Sequence, residues 1–155
     1  MSMQRGFTMI ETLVVMGIFA LIGGLALFVS METYRSSSFR SDRDLLVAVL
    51  QRARAQAINN VCFGTCTDND GQPHGVRIES DQYIIFQGDT YSSSDPNNAA
   101  FDSNPLSNRT GATEIVFEQL SGDTSCSPTC EISLTQGSQS SVISVTSNGR
   151  ISWTN

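Results

Sequence analysis

Residues 7–31 read FTMIETLVVMGIFALIGGLALFVSM, 25 residues with a single charge at Glu11. As a helix, a run of this length crosses a hydrocarbon core of about 30 Å. Only the leader MSMQRG precedes it, with Arg5, and no further basic residue appears until Arg35. A short basic flank stays on the cytoplasmic side, which predicts residues 32–155 outside the cytoplasm. An ordinary secretory signal has a shorter apolar core with a small-residue cleavage site at its far end. Gly24-Leu25-Ala26 is a poor version of one. A plain anchor explains the length but leaves the carboxylate unexplained, because an acid within a span is costly and usually marks function.

The residues around that carboxylate carry a resemblance. Arg5-Gly6-Phe7-Thr8-Met9-Ile10-Glu11 is similar to the processing site of type IV pilins and pseudopilins. The resemblance implies a prepilin peptidase cutting between Gly6 and Phe7, and N-methylation of Phe7. It also implies an assembly role for Glu11, facing the new amine of a neighbouring subunit. The implied partners are other pilin or pseudopilin subunits, the peptidase and an inner-membrane assembly platform. The implied location is the inner membrane, single-pass, and then a pilus or pseudopilus.

The pattern beyond the span predicts how the rest is organised. No proline occurs between Phe7 and Asn60, and Leu46, Val49, Leu50, Ala53 and Ala57 recur at steps of three and four. That stripe predicts an amphipathic helix over about 40–59 and allows one continuous helix of about 50 residues, roughly 80 Å long. From Val61 onward the pattern is short β-strands. They are expected at 61–63, 75–78, 83–86, 114–117, 131–134, 142–145 and 150–153, with a hairpin joining the first two and Asn148-Gly149 turning before the last. The Gly-, Ser-, Asn- and Pro-rich stretch 88–111 reads as a long exposed loop. The division expected is therefore a leader at 1–6, a helix for membrane or filament core at 7–31, and an extracytoplasmic domain at 32–155, β-rich over 61–155. The fold class is α+β and pilin-like, one long N-terminal helix on an antiparallel sheet or small sandwich. Leu50 through Ile58, Gly75-Val76-Arg77-Ile78, Tyr83 through Phe86 and Val145 through Ile151 resemble the GspH/FimT-type minor pseudopilins.

Charge and cysteine usage narrow the function. The net charge is −6, all nine basic residues are arginine, and lysine is absent, so a polymer cannot be joined through lysine isopeptides. From Val61 onward three arginines face eleven acids, a balance of −8. Nucleic-acid binding needs clustered positive charge, and this region lacks it in bulk. Arg150, after Gly149, is the one candidate contact, since it resembles half of a Gly-Arg-x-Arg element found in DNA-binding relatives; Ser152 replaces the second arginine. Cys62, Cys66, Cys126 and Cys130 form two Cys-x-x-x-Cys pairs. Outside the cytoplasm an even count favours disulfides. Three connectivities exist; two local bridges, 62–66 and 126–130, are expected, with a four-thiolate zinc site as the alternative. Asp68, Asp70 and Gly71 resemble only part of a calcium loop and read as a turn, with the lone His74 placed in it. No nucleophile sits at a recognisable elbow, so no enzyme, cofactor or metal is expected. The reading is a structural subunit, a minor pilin or pseudopilin assembled non-covalently. The alternatives are a major pilin, or a DNA-binding or adhesive subunit at a filament tip.

Overall fold

The computed structural model describes residues 8–64 and 71–154, without the side chains of 26–32. The chain divides into two compact units, Met1–Ser37 and Ser38–Asn155. A single helix, α1 (Met9–Ile58), runs through both. It starts at Thr8 and ends on a left-handed residue, Asn60, whose φ is 53°. Val61 N–H donates to the Gln56 carbonyl at 3.0 Å and Asn60 N–H to that of Ala57 at 3.1 Å. This pair of bonds is a Schellman cap, in which asparagine tolerates the conformation that glycine usually supplies.

Eight strands follow: β1 (His74–Ile78), β2 (Gln82–Gln87), β3 (Ala99–Asp102), β4 (Asn108–Gly111), β5 (Glu114–Phe117), β6 (Thr129–Gln136), β7 (Gln139–Thr146) and β8 (Ile151–Thr154). They form two antiparallel sheets, ordered β3-β2-β1-β5 and β4-β6-β7-β8. The fold is α+β, a helix packed on antiparallel sheets. One core joins the three layers: Phe39, Leu46, Val49, Leu50, Ala53 and Ala57 from α1 meet Val76, Tyr83, Ile85 and Phe117 of the first sheet and Ile132, Leu134, Ile143 and Val145 of the second. Period-two alternation sends Ile132 and Leu134, then Ile143 and Val145, to the helix side. Each large apolar side chain sealed this way contributes about 1.5–3 kcal/mol.

Two expectations are corrected. Val61–Phe63 forms no strand; β1 pairs with β2 and β5 instead. The backbone N–H of Phe63 donates to Gln87 Oε1 at 2.7 Å, so a side chain takes the place of a ladder. Stretch 88–111 is not one loop, since it holds β3 and β4. Both are four-residue edge strands, and pairing with β2 and β6 supplies what their poor β-propensity does not. The turns elsewhere obey local chemistry. Gly137, with φ 62°, is the first of two residues linking β6 to β7, as a type II′ turn requires. Gly149, with φ 69°, follows Asn148 between β7 and β8, where Gly149 N–H donates to the Thr146 carbonyl.

Candidate assembly site

The first turn of α1 is organised by Thr8. The Glu11 N–H donates to the Thr8 carbonyl at 3.1 Å and lies 3.4 Å from Thr8 Oγ1, and Thr12 N–H reaches the same carbonyl at 3.2 Å. Thr-Met-Ile-Glu therefore has the form of a capping box, with threonine at the cap and glutamate three residues on. The Glu11 carboxylate also sits where the positive end of the helix dipole favours an anion. That local role was legible as Thr8-x-x-Glu11, and the sequence reading passed over it.

The side chains that follow are apolar and open to solvent. Met9 is 85% exposed, Ile10 73% and Phe19 71%, and Leu13, Val14, Met16, Leu21, Ile22 and Leu25 are exposed as well. Single exposed apolar residues are ordinary, but a helical segment apolar on every side demands a partner or a lipid phase. Among the described residues no helix is long and apolar enough to cross a membrane. Residues 26–31, which complete the apolar run, are among those whose side chains are not described.

Residues 1–27 match the prokaryotic N-terminal methylation motif. No curated protein and no solved structure matches the chain. The methylation motif supports a type IV pilin-like protein, one whose processing involves a peptidase and whose assembly involves other pilin subunits. It points to a family of structural subunits rather than to an enzyme, and to a membrane-anchored pilin. Gly6 and Phe7, between which cleavage is expected, lie outside the described residues; Glu11 lies within them.

The remaining sequence-derived sites are placed as follows. Cys126 and Cys130 are joined by a disulfide, which excludes them as zinc ligands. Cys62 is itself disulfide-bonded, while Cys66 lies outside the described residues, as do Asp68 and Asp70 of the turn. Among the described residues no group of three or more His, Cys, Asp or Glu side chains is placed to hold a metal. Arg150 is exposed just after the Gly149 turn. Its neighbour across the turn, Arg54 of α1, points its guanidinium at the carbonyls of Gly122 and Asn148, at 3.4 and 3.3 Å.

A buried polar cluster escaped the sequence reading entirely. Arg109 on β4 forms a 2.8 Å ion pair with Asp42 on α1 and donates from Nε to the Tyr83 hydroxyl at 2.7 Å. Its other N–H groups reach the carbonyls of Ser80, Ser107 and Asn104. Asp42 also accepts from the Tyr83 hydroxyl and the Asn104 N–H, each at 3.1 Å. Burial pushes the Tyr83 phenol well above its ordinary value, against the opposing effect of the Arg109 bond. The phenol thus stays protonated and donating. Every charge is met, so the cluster ties α1 to both sheets.

His74 was placed in a turn by its sequence; it is instead the fully buried first residue of β1. Its Nδ1 lies 3.0 Å from the Gln72 carbonyl, its ring stands edge-on to Phe63 at 5.9 Å, and Nε2 has no partner among the described residues. Burial lowers its pKa, outweighing the bond to Gln72, so the ring is neutral and Nδ1–H donates.

Proposed function

We propose that the chain is a minor pilin or pseudopilin, cut between Gly6 and Phe7, methylated on Phe7, held in the inner membrane by 7–31 and drawn into a filament through α1. The observation that carries this reading is the exposed apolar start of α1, Met9 to Leu25, which lies within the methylation motif. Packing such helices together buries residues like Ile10, Leu13 and Phe19, each worth about 1.5–3 kcal/mol. The soluble unit Ser38–Asn155, with its own core, supplies the part displayed outside the membrane.

Glu11 adds register to that non-specific attraction. Cleavage leaves an ammonium on Phe7 in surroundings stripped of water, and the carboxylate of an adjacent subunit offsets it. Only one axial stagger brings the two together. The strand pattern and the helix end support placement with the GspH/FimT-type minor pseudopilins.

Filaments sheared from the native cells and sedimented provide the test. The chain should co-sediment, at an abundance far below that of the principal subunit. Leu13→Arg should remove it from the sediment while the soluble unit remains folded. Co-sedimentation unaffected by Leu13→Arg would contradict assembly through α1; an abundance equal to the principal subunit would make it a major pilin.

A further inference from the structure

Residues 108–117 serve both sheets in turn, and the change of partner leaves part of their edge bare. Asn108–Gly111 pairs with β6, and Ala112 N–H still donates to the Glu131 carbonyl at 2.9 Å. One residue later the Thr113 carbonyl accepts from Ile78 N–H of β1 at 2.8 Å, and β5 pairs with β1 from there on. The chain bends between the two sheets at Gly111, whose φ is 106°. β1 goes no further, because Glu79 N–H turns back onto the Gln82 carbonyl. Where a longer β1 would lie beside β4 there is a hollow of about 380 Å³, lined by Ile78, Glu79 and Ser80 and by β4 itself. We infer that the open edge of β4 beside this hollow receives, by strand addition, a short extended segment of another polypeptide that carries a basic side chain.

Main-chain chemistry points to a strand as the occupant. Beyond the ladder with β6, no backbone N–H or carbonyl of Asn108–Gly111 has a partner among the described residues. Such an edge is a template for another chain, and proteins commonly guard it with a lysine or a proline in the strand. β4 has neither. Its one charge, Arg109, is consumed by Asp42, Tyr83 and three carbonyls. In strand addition the main-chain bonds supply affinity, and contacts to alternate side chains supply specificity. Leu106, 69% exposed, and Ile78 line the same hollow and offer those contacts. Four residues of strand span about 13 Å, so the segment taken is short.

Charge decides what the segment carries. Glu79 is the one carboxylate lining the hollow, and the neutralised Arg109 the one cation. Glu79 Oε2 accepts from Gln82 Nε2 at 2.9 Å. Its Oε1 has no hydrogen bond among the described residues, since Arg77 Nε stands 3.9 Å away, too far for one. Arg77 is shared with Glu114 at 3.4 Å, so one cation serves two acids. The negative charge left over favours an arginine or lysine on the incoming segment. A second copy of this chain, with a net charge of −6, would instead bring like charge to the contact.

The test uses the full chain, labelled with nitrogen-15, in neutral detergent micelles. It is titrated with a capped pentapeptide of alternating threonine and valine with arginine at its centre, while amide signals are followed by NMR. A second peptide has glutamate at the centre, and a third is the arginine peptide with alternate backbone nitrogens methylated. The expected result is a saturable shift of amides in 78–80 and 108–113 with the arginine peptide. Binding should fall about tenfold with glutamate at the centre and be lost on N-methylation. Glu79→Gln should abolish the preference for arginine over glutamate while the N-methylated peptide still fails. Equal binding of the N-methylated peptide, no saturable shift at these amides, or a preference that Glu79→Gln leaves intact overturns the inference. Shifts of the same amides on concentrating the chain alone also overturn it, in favour of a second copy.

Discussion

Arg109 and Asp42, 67 positions apart in sequence, meet at 2.8 Å with side chains only 5% and 1% exposed. Removing one partner of such a pair strands the other charge in a dry place, which typically costs about 3–5 kcal/mol. Arg109→Met should therefore destabilise the second unit by about that amount in denaturant unfolding. Replacing both, with Asp42→Leu and Arg109→Met together, should cost clearly less than the sum of the singles. Strict additivity would show that the pair acts independently, against the geometry described.

His74 makes stability depend on pH. Its folded pKa lies below the unfolded value of about 6.5, so between the two the unfolded chain binds more protons. The contribution is complete above pH of about 6.5 and is lost as pH falls through the folded value. Unfolding midpoints should drop as pH is lowered below about 6.5, before the carboxylates titrate. His74→Gln, which keeps an N–H donor but cannot charge, should flatten that part of the profile.

The place of Glu11 in the first turn of α1 and its proposed intersubunit charge can be separated. Glutamine also completes a capping box, so Glu11→Gln preserves the cap and removes the charge. Incorporation into filaments should fall with Glu11→Gln nearly as far as with Glu11→Ala. Near-normal assembly of the glutamine variant would assign the residue to the first turn of α1 alone.

The Cys126–Cys130 bridge closes a very short loop that runs into the start of β6. By the chain-entropy relation its removal costs about 2 kcal/mol, less than a long-range bridge. The double Cys126→Ser, Cys130→Ser variant should still fold, with its denaturant midpoint lowered accordingly. Complete unfolding would show that the bridge holds more of the second sheet than the short segment it spans.

Much of this architecture was written locally. The proline-free run, the three-and-four stripe from Leu46 to Ala57 and the β-branched pairs in β1, β2, β5, β6 and β7 each encode an element within a few residues. Strands β3 and β4 do not. Ala99–Asp102 and Asn108–Gly111 are short and mostly polar or small, and their partners hold them extended. The Asp42–Tyr83–Arg109 cluster was hidden for a different reason, since its members belong to three separate elements. One signal was available: Asp42 falls in phase with Phe39, Leu46 and Val49, an acid on the buried stripe that needed a cation. The methylation motif was legible in full, because it is a contiguous signal read by an enzyme before folding matters.

The central claim is that the native chain begins at Phe7 and enters a filament by its N-terminal helix. Mass spectrometry of the N-terminal peptide from native membranes or sheared filaments tests it most directly. The account predicts a peptide starting at Phe7 and carrying one added methyl group. A native, filament-associated chain that still begins MSMQRG would contradict it.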